Sequence, residues 1–505
     1  MLGRPTDSSI TASVLFQVAV DHYIEYGTVQ ASYPQTTATI SNIPGTPDEV
    51  DVAGLIGDTR YYYRLRYRAI GGGEFLATPE YTFHTQRAVG NGFSFVVEAD
   101  EHLYDKKGVE SLYRITLANE ALDQPDFMLS LGDIFGDDHE PDSISSGALD
   151  TLHLNYRPLL GAITHSVPFY VCLGNHEGEN DYYLGQDPPD NLAVWGTQWR
   201  KFYYPNPFPN EFYSGNLDVE PWGIGNPENY YAWTWGDALF VVLDVYRDQC
   251  DTSASPGSWN WSLGWPQYQW LRNTLQGSTA AHKFVFAHQL VGGSGEGRGG
   301  IEFADNYEWG GDNIDGTPGF AENRPGWYAP IKDLLTENRV TIFFHGHDHF
   351  FGQQQKDCLI YQETPQPSLP NFQNANQADD YGYVNGVILP NAGHLRVSVA
   401  PSGVQVDYVR AYLPQNENAD RHNRDVSASY AIGPSASVHG VQHDHGNLAR
   451  RQDGAGLGRV VLLAHLLSGA RARGIEIQAP LVERATACRA ALGLVEDEAS
   501  FVHAN

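Results

Sequence analysis

The chain has 505 residues, of which 41% are hydrophobic and 12% aromatic, so it can build packed cores and is expected to hold two or three domains. Its formal net charge of −30 repels the phosphate backbone of DNA and RNA, so general nucleic-acid binding is not expected. Since the sequence has no run of about 18 apolar residues, no membrane-spanning helix is expected.

Residues 1–88 are predicted to form a small all-β domain. The clearest strand runs from Tyr61 to Arg68, where alternate side chains point to opposite faces. Further strands are predicted at Ile10 to Phe16, Tyr23 to Gly27, Thr37 to Ile40, and at the end of the domain, Phe83 to Thr85. Short strands separated by Gly, Pro and Asp turns are typical of a β-sandwich. The segment from Leu55 to Leu65 resembles the signature of a fibronectin type III domain.

Fibronectin type III modules are common on secreted enzymes, so this resemblance implies a secreted, periplasmic or cell-surface protein whose leader is absent from the chain. The sequence starts at Met1 without the charged and apolar segments of a secretory leader. Its four cysteines are too few for a disulfide framework in a chain of this length. Cys172 lies in an apolar run and is predicted to be a buried free thiol, whereas Cys250 and Cys358 either pair or stay reduced.

Residues 89–433 are predicted to form an α/β domain in which strands and helices alternate. Strands are predicted at Phe93 to Glu98, Phe127 to Leu131, Val167 to Leu173, Tyr230 to Val245, Lys283 to Ala287, Val340 to Phe344 and within Val384 to Val409. Helices are predicted at Glu110 to Leu122, Leu149 to Leu160 and Pro266 to Leu275. The aromatic segment 178–232 is predicted to be irregular, either a lid or a surface loop packed on itself.

Residues 434–505 differ in composition from the rest of the chain. Ala, Arg and Gly dominate, and no aromatic side chain of Phe, Tyr or Trp occurs between residue 434 and Phe501. This composition predicts a disordered tail, with a short helix at Val460 to Leu467 as an alternative. Three histidines of the tail either bind metal or have no such role: His439, His443 and His445.

Metal-ligating side chains follow the predicted strands in five blocks. The blocks are Asp100-Glu101-His102, Gly132-Asp133, Gly174-Asn175-His176-Glu177, His288, and Gly346-His347-Asp348-His349. Because open α/β sheets place their sites at the carboxyl ends of strands, the blocks are expected to converge. They supply carboxylates, imidazoles and one amide carbonyl, enough for two divalent ions, which predicts a two-metal hydrolase. Structural zinc favours cysteine ligands, and no cysteine pair of suitable spacing is present.

Across roughly residues 93–400 these blocks resemble the calcineurin-like metallophosphoesterase family. The resemblance implies a four-layer αββα sandwich in which Asp100, His102 and His349 hold one metal ion and Asp133 bridges two. It further implies that the second ion is held by Asn175, His288 and His347, and that His176 protonates the leaving oxygen or stabilises the transition state. Such oxygen and imidazole ligands suit Mn, Zn, Fe or Co.

The domain order is also similar to that of purple acid phosphatases, with two departures. Those enzymes have a tyrosine three residues after the bridging aspartate, where this chain has Gly136, and they lack a histidine at the position of His102. The colour that their tyrosine gives is therefore not expected. Arg298 and Arg324 flank a glycine-rich segment and are either phosphate-binding residues or solvated loop arginines.

The mechanism implied by the family is attack on phosphorus by a metal-bridging hydroxide, because two cations lower the pKa of the water between them. The expected substrate is a phosphate ester, with a phosphomonoester favoured. The alternatives are a phosphodiesterase of the same fold and a non-catalytic adhesion or scaffold protein with an inactive phosphoesterase domain.

Overall fold

The computed structural model describes residues 1–136, 143–249, 258–294 and 297–433, with the backbone of three short strands beyond them. Residues up to His84 form a β-sandwich of two sheets. The first sheet has the strand order β1-β2-β6, and the second β4-β3-β7-β8 with β5 paired to β3 and β9 to β7. The strands are β1 Leu2–Gly3, β2 Ser9–Val14, β3 Val20–Gly27, β4 Gln35–Thr36, β5 Ile40–Ser41, β6 Asp48–Ala53, β7 Arg60–Ala69, β8 Leu76–Ala77 and β9 Tyr81–His84.

The sandwich forms because alternate side chains of its long strands are apolar and meet between the two sheets. Ile10 and Val52 from one sheet and Ile24 and Tyr61 from the other share a single buried cluster. The predicted strand at Thr37 to Ile40 is wrong, because β4 ends at Thr36 and β5 begins only at Ile40. The Thr37 hydroxyl accepts the hydrogen bond of the Ile24 N–H at 3.0 Å and so takes the place of a backbone carbonyl.

The second region begins with a seven-stranded sheet of order β12-β11-β10-β21-β22-β23-β24. Its first three strands are parallel, and β10 pairs antiparallel with β21. The strands are β10 Phe93–Glu98, β11 Phe127–Ser130, β12 Phe169–Val171, β21 Gly393–Ala400, β22 Gly403–Arg410, β23 Val426–Ile432 and β24 Val438–Gln442.

An eight-stranded sheet of order β13-β14-β15-β16-β17-β19-β18-β20 faces the first one. Strands β15, β16, β17 and β19 run parallel to one another, whereas β14 and β18 pair antiparallel at either end of this group. The strands are β13 Ser214–Gly215, β14 Tyr231–Trp235, β15 Ala238–Val242, β16 His282–Phe286, β17 Ile342–His345, β18 Phe351–Lys356, β19 Leu359–Glu363 and β20 Val387–Leu389. Two further strands of the tail pair with each other, β25 Ala472–Glu476 and β26 Ala499–His503.

Helices cover the outer faces of both large sheets, which confirms the four-layer αββα sandwich. The helices are α1 Glu110–Asp123, α2 Ser146–Thr164, α3 Asp181–Leu184, α4 Leu192–Tyr203, α5 Gly264–Gly277, α6 Tyr307–Gly310, α7 Phe320–Asn323, α8 Ile331–Glu337 and α9 Gln377–Asp380. Apolar residues of α1 and α2 pack on the first sheet, and those of α5 and α8 pack on the second. A third cluster, rich in phenylalanine, fills the space between the sheets. None of the helices in these described ranges is long and apolar enough to cross a membrane.

The segment predicted to be irregular contains the twelve-residue helix α4, so that prediction is wrong in part. Asn191 caps the helix by accepting a hydrogen bond from the Val194 N–H at 2.9 Å. Arg200 on its buried face pairs with Glu179, with the Arg200 Nε 2.6 Å from the carboxylate.

The cysteine predictions have different outcomes. Cys172 is a buried free thiol, as predicted. Cys358 is disulfide-bonded, whereas Cys250, the partner considered from the sequence, lies outside the described residues, as do His443, His445 and the predicted helix at Val460 to Leu467. His439 lies in β24, of which only the backbone is described.

Candidate metal centre

The five ligand blocks follow five strands at the same edge of the two facing sheets. Asp100 comes after β10, Asp133 after β11, and the Asn175 block after β12. His288 comes after β16, and the His347 block follows β17. Because parallel strands end side by side, these blocks meet at the carboxyl edge of the sandwich.

The first cluster contains Asp100, His102, Asp133 and His349, whose ligand atoms all lie within 4.8 Å of one another. Asp100 Oδ1 is 3.4 Å from His349 Nε2, and Asp133 Oδ2 is 3.7 Å from His102 Nε2. The Nε2 atoms of His102 and His349 are 3.0 Å apart. Two nitrogens bound at about 2.1 Å to one ion lie about 3 Å apart at octahedral angles, so this spacing suits two ligands of one metal.

The second cluster shares Asp133 with the first and adds His288 and His347. His288 Nε2 is 3.2 Å from Asp133 Oδ2 and 3.2 Å from His347 Nδ1. The backbone N–H of His176 donates to Asp133 Oδ1 at 2.9 Å, which holds the Asn175 block against this cluster. The His176 ring is buried, with its Nε2 3.7 Å from Asp133 Oδ2.

Among the predicted ligands, three oxygens are buried without a hydrogen bond from the described residues, although histidine nitrogens lie near the first two: Asp100 Oδ1, Asp133 Oδ2 and Asn175 Oδ1. A buried carboxylate oxygen without a donor is costly, and buried charges are normally paired or bound to metal. Asp100 belongs to the first cluster, Asp133 to both, and Asn175 lies in the block held against the second. The site therefore fits a pair of cations with Asp133 between them.

The charges of the site reinforce each other. Burial alone would raise the pKa of Asp100, but His349 and His288 hold it well below its ordinary value. Burial opposes protonation of His288, yet Asp133 and Asp100 raise its pKa to about 9. Burial and the Arg298 cation hold the pKa of His347 well below its usual range. The Asp100 carboxylate is therefore ionised at neutral pH, a cation competes with a proton for His288, and His347 is neutral.

Five of the seven predicted metal ligands have a left-handed backbone, with φ of 63° at Asp100, 47° at His102, 60° at Asp133, 78° at His347 and 63° at His349. Such conformations cost about 1–3 kcal/mol each in non-glycine residues and cluster at functional sites. The strained turns allow the side chains to point back toward one point at the end of the sheets.

Glycines next to the ligands make this close packing feasible. A Cβ on Gly346 would lie 2.6 Å from Asp100 Oδ2, and one on Gly132 would lie 2.2 Å from the Gly174 nitrogen. At Gly136 a Cβ would lie 1.6 Å from the His176 carbonyl oxygen. The position at which purple acid phosphatases carry a tyrosine therefore has no room for any side chain in this chain.

Glu177 connects two of the ligand loops, a role that the sequence analysis missed. Its buried carboxylate accepts backbone hydrogen bonds from Asp133 at 3.0 Å, Ile134 at 2.8 Å, Phe135 at 3.2 Å and Gly174 at 2.6 Å. Its place in the Gly174-Asn175-His176-Glu177 block was the only sequence signal. Spacing alone could not show that the carboxylate turns away from the metal ligands toward the backbone.

The two candidate arginines have different positions. Arg298 Nη1 donates to the His347 carbonyl at 2.6 Å and to Asp348 Oδ1 at 3.3 Å, so its cation lies beside the centre. Arg324 instead pairs with Glu308 and donates to the Trp261 carbonyl at 3.1 Å, which gives it a structural role.

Comparisons with known proteins agree with this geometry. Residues 93–351 match the family model described as calcineurin-like phosphoesterase. The structure of PhoD is 16% identical, with a TM-score of 0.63 over 88% of this chain and 91% of that one. A purple acid phosphatase from yellow lupin (Lupinus luteus) seeds is 14% identical, with a TM-score of 0.56 over 86% of this chain and 73% of that one. A search of curated protein sequences finds no match. At these identities the two structures show a shared fold only.

Proposed function

The chain belongs to the calcineurin-like phosphoesterase family and is a phosphate-ester hydrolase, and on that premise we propose that it is a binuclear metal-dependent phosphomonoesterase. The observation that carries the proposal is the set of buried oxygens without a hydrogen bond on Asp100, Asp133 and Asn175. They lie among imidazoles at the carboxyl edge of both sheets, where metal ions would accept their lone pairs.

The proposed ligands divide into two sets that share one carboxylate. One ion would be held by Asp100, His102, Asp133 and His349, and the other by Asp133, Asn175, His288 and His347. The ligand atoms of the first group, and those of the second apart from Asn175, lie within 4.8 Å of one another. Carboxylate, amide and imidazole ligands suit Mn, Zn, Fe or Co without selecting among them. When bound, such a pair of cations supplies an activated water and neutralises charge on the phosphoryl group.

The side chains around the centre account for the remaining chemistry. The imidazole of His176 has its Nε2 at the edge of the site, so it is placed to give a proton to the leaving oxygen. The hydrogen bond that holds this loop against Asp133 comes from the backbone N–H of His176, so it does not depend on the imidazole side chain. A monoester carries more negative charge than a diester, and the Arg298 cation beside His347 favours the more highly charged substrate.

We also propose that residues 1–88 are a fibronectin type III-like domain that braces the catalytic domain, residues 89–433, with residues 434–505 as a separate tail. The support is a set of polar contacts across the proposed boundary. Arg157 on α2 donates to the Ser13 hydroxyl at 3.1 Å and to the Ser13 carbonyl at 3.2 Å. The Tyr63 hydroxyl donates to the His165 carbonyl at 2.5 Å.

Secretion is part of the same proposal. A disulfide at Cys358 is typical of proteins from an oxidising compartment, and the fibronectin type III resemblance points the same way.

Parallel assays with p-nitrophenyl phosphate and bis-p-nitrophenyl phosphate test the proposed activity. The protein is first stripped with a chelator and then assayed with and without added Mn or Zn. Metal-dependent turnover that is faster on the monoester supports the proposal, and faster turnover on the diester identifies a phosphodiesterase instead. Absence of turnover with every metal, in protein that binds two ions, would contradict both.

A further inference from the structure

We infer that Asp105 is a positioning residue for the metal centre, whose carboxylate holds His102 in the orientation and tautomer that bind one of the two ions. The inference rests on the proposed binuclear centre and adds a residue outside its ligand set. Asp105 lies three residues after His102, in the turn that leads from β10 toward α1.

The two ring nitrogens of His102 face different surroundings. Nε2 lies 3.7 Å from Asp133 Oδ2 and 3.8 Å from Asp100 Oδ1, so it is the nitrogen directed into the centre. Nδ1 lies 3.1 Å from Asp105 Oδ2. To bind an ion Nε2 must keep its lone pair, so the ring proton belongs on Nδ1, where it is donated to Asp105.

Asp105 is itself held in place. Its side chain is 7% exposed, and Lys107 Nζ lies 3.0 Å from the same Oδ2 that faces His102. The other oxygen accepts the Lys107 backbone N–H at 3.1 Å. The turn is closed by the Gly108 N–H, which donates to the His102 carbonyl at 2.9 Å. A carboxylate anchored in this way can fix the plane of the imidazole as well as its proton.

The proposed ligand His288 has a different partner for its second nitrogen. Its Nδ1 lies 2.8 Å from the Leu131 carbonyl oxygen, which is neutral. A carboxylate acceptor increases the basicity of a ligating imidazole more than a carbonyl does, because it carries a full negative charge. Loss of Asp105 should therefore weaken only the ion held by His102, and the ion held by His288 should be unaffected.

Tyr104 is the competing candidate for this role. Its hydroxyl is 3.0 Å from the same Nδ1 of His102, so it can share the imidazole proton. A phenol is a neutral partner, whereas the Asp105 carboxylate on the same nitrogen carries a negative charge. The charged acceptor is the stronger of the two partners.

The test measures bound metal directly. Wild type, Asp105→Asn, Asp105→Glu and Tyr104→Phe are loaded with Zn and dialysed against graded chelator, and the ions retained per chain are counted by mass spectrometry. Asp126→Asn is the matched control, because it removes another buried carboxylate, which pairs with Arg87 at 2.7 Å. Circular dichroism verifies that each variant is folded.

In Asp105→Asn we expect one of the two ions to bind about 10–100-fold more weakly while the other is unchanged. Asp105→Glu, which keeps a displaced carboxylate, should fall between asparagine and wild type, and it decides the question if the asparagine variant does not fold. Tyr104→Phe and Asp126→Asn should retain both ions. In cobalt-loaded protein, an exchangeable histidine N–H resonance present in wild type should be lost or shifted in Asp105→Asn alone.

Three results would overturn the inference. Asp105→Asn could hold both ions as tightly as wild type, it could lose both ions equally, as expected of general structural damage, or Tyr104→Phe could show the larger loss. A wild-type protein that binds no ion contradicts the proposed centre itself, which separates the failure of the proposed function from the failure of the role of Asp105.

Discussion

The substitution Glu177→Gln keeps the size of the side chain but removes one of its two accepting oxygens, so it tests whether both oxygens are needed. The four backbone donors of Glu177 are divided between its oxygens, with Ile134 and Phe135 on Oε1 and Asp133 and Gly174 on Oε2. Glutamine has one accepting oxygen, so in either orientation two buried N–H groups face an NH2 group.

The size of the effect follows from that division. Each buried donor left unsatisfied costs about 1–3 kcal/mol, so Glu177→Gln should lower the free energy of unfolding by roughly 2–6 kcal/mol. That is a large part of the roughly 5–15 kcal/mol by which a domain is usually stable. The assay is urea unfolding followed by tryptophan fluorescence, with chelator present because bound metal would add its own stabilisation.

Glu302→Gln is the matched control for Glu177→Gln. Three of the four donors to Glu302 reach Oε1 alone, from Val384 at 3.2 Å and the two nitrogens of Asn385 at 3.1 and 2.8 Å. The fourth, Gln354 Nε2, is shared between Oε1 at 3.2 Å and Oε2 at 3.0 Å. A glutamine oxygen can occupy that position, so the control should lose much less stability. Equal losses in the two variants, or a Glu177→Gln protein within about 0.5 kcal/mol of wild type, would show that the four backbone donors do not require both oxygens of Glu177.

Four further substitutions test other parts of the account. Asp133→Asn should remove turnover of p-nitrophenyl phosphate while circular dichroism stays unchanged, and near-normal turnover would reject Asp133 as the bridging ligand. His176→Ala should lower turnover roughly 10²–10⁴-fold with metal content unchanged, because a proton donor but no ligand is lost; loss of metal would make His176 a ligand. His153→Phe tests stability in acid. Burial, Arg200 and Arg157 lower the pKa of His153 to about 3 in the folded protein. Because the unfolded chain takes up this proton at about pH 6.5, the wild type loses stability as the pH falls from about 6.5 toward 3. The phenylalanine variant should lose less between pH 7 and pH 4.5 by urea unfolding, and an equal loss would contradict this assignment. Gly136→Ala should lower the melting temperature and activity together, because its Cβ would overlap the His176 carbonyl oxygen at 1.6 Å; a wild-type melting temperature would contradict that clash.

Much of the fold could be predicted because its strands are strongly patterned. The apolar run from Phe93 to Glu98 predicted β10 to the residue, since a strand buried on both faces has a continuous apolar sequence. Helix α4 was missed because aromatic residues and the interior Gly196 weaken its helical pattern. It is stabilised by tertiary contacts such as the buried pair of Arg200 with Glu179, which local sequence does not reveal.

The convergence of the ligand blocks could be predicted for a simple geometric reason. Each block follows a buried strand, and the ends of parallel strands lie together. The residues that support the ligands could not be predicted in this way. Glu177 and Asp105 act through atoms whose partners depend on turn geometry, namely the left-handed backbone at Asp133 and His102. Sequence spacing carries little information about such conformations in residues other than glycine.

Titration of chelator-stripped protein with Zn or Mn determines whether the active protein holds two metal ions at the site of Asp133. At each point the ions bound per chain and the turnover of p-nitrophenyl phosphate are measured on the same sample. Turnover should rise only as the second ion binds and should reach its maximum at two ions per chain. Full turnover with one ion per chain, or turnover that is independent of metal, would contradict the binuclear centre.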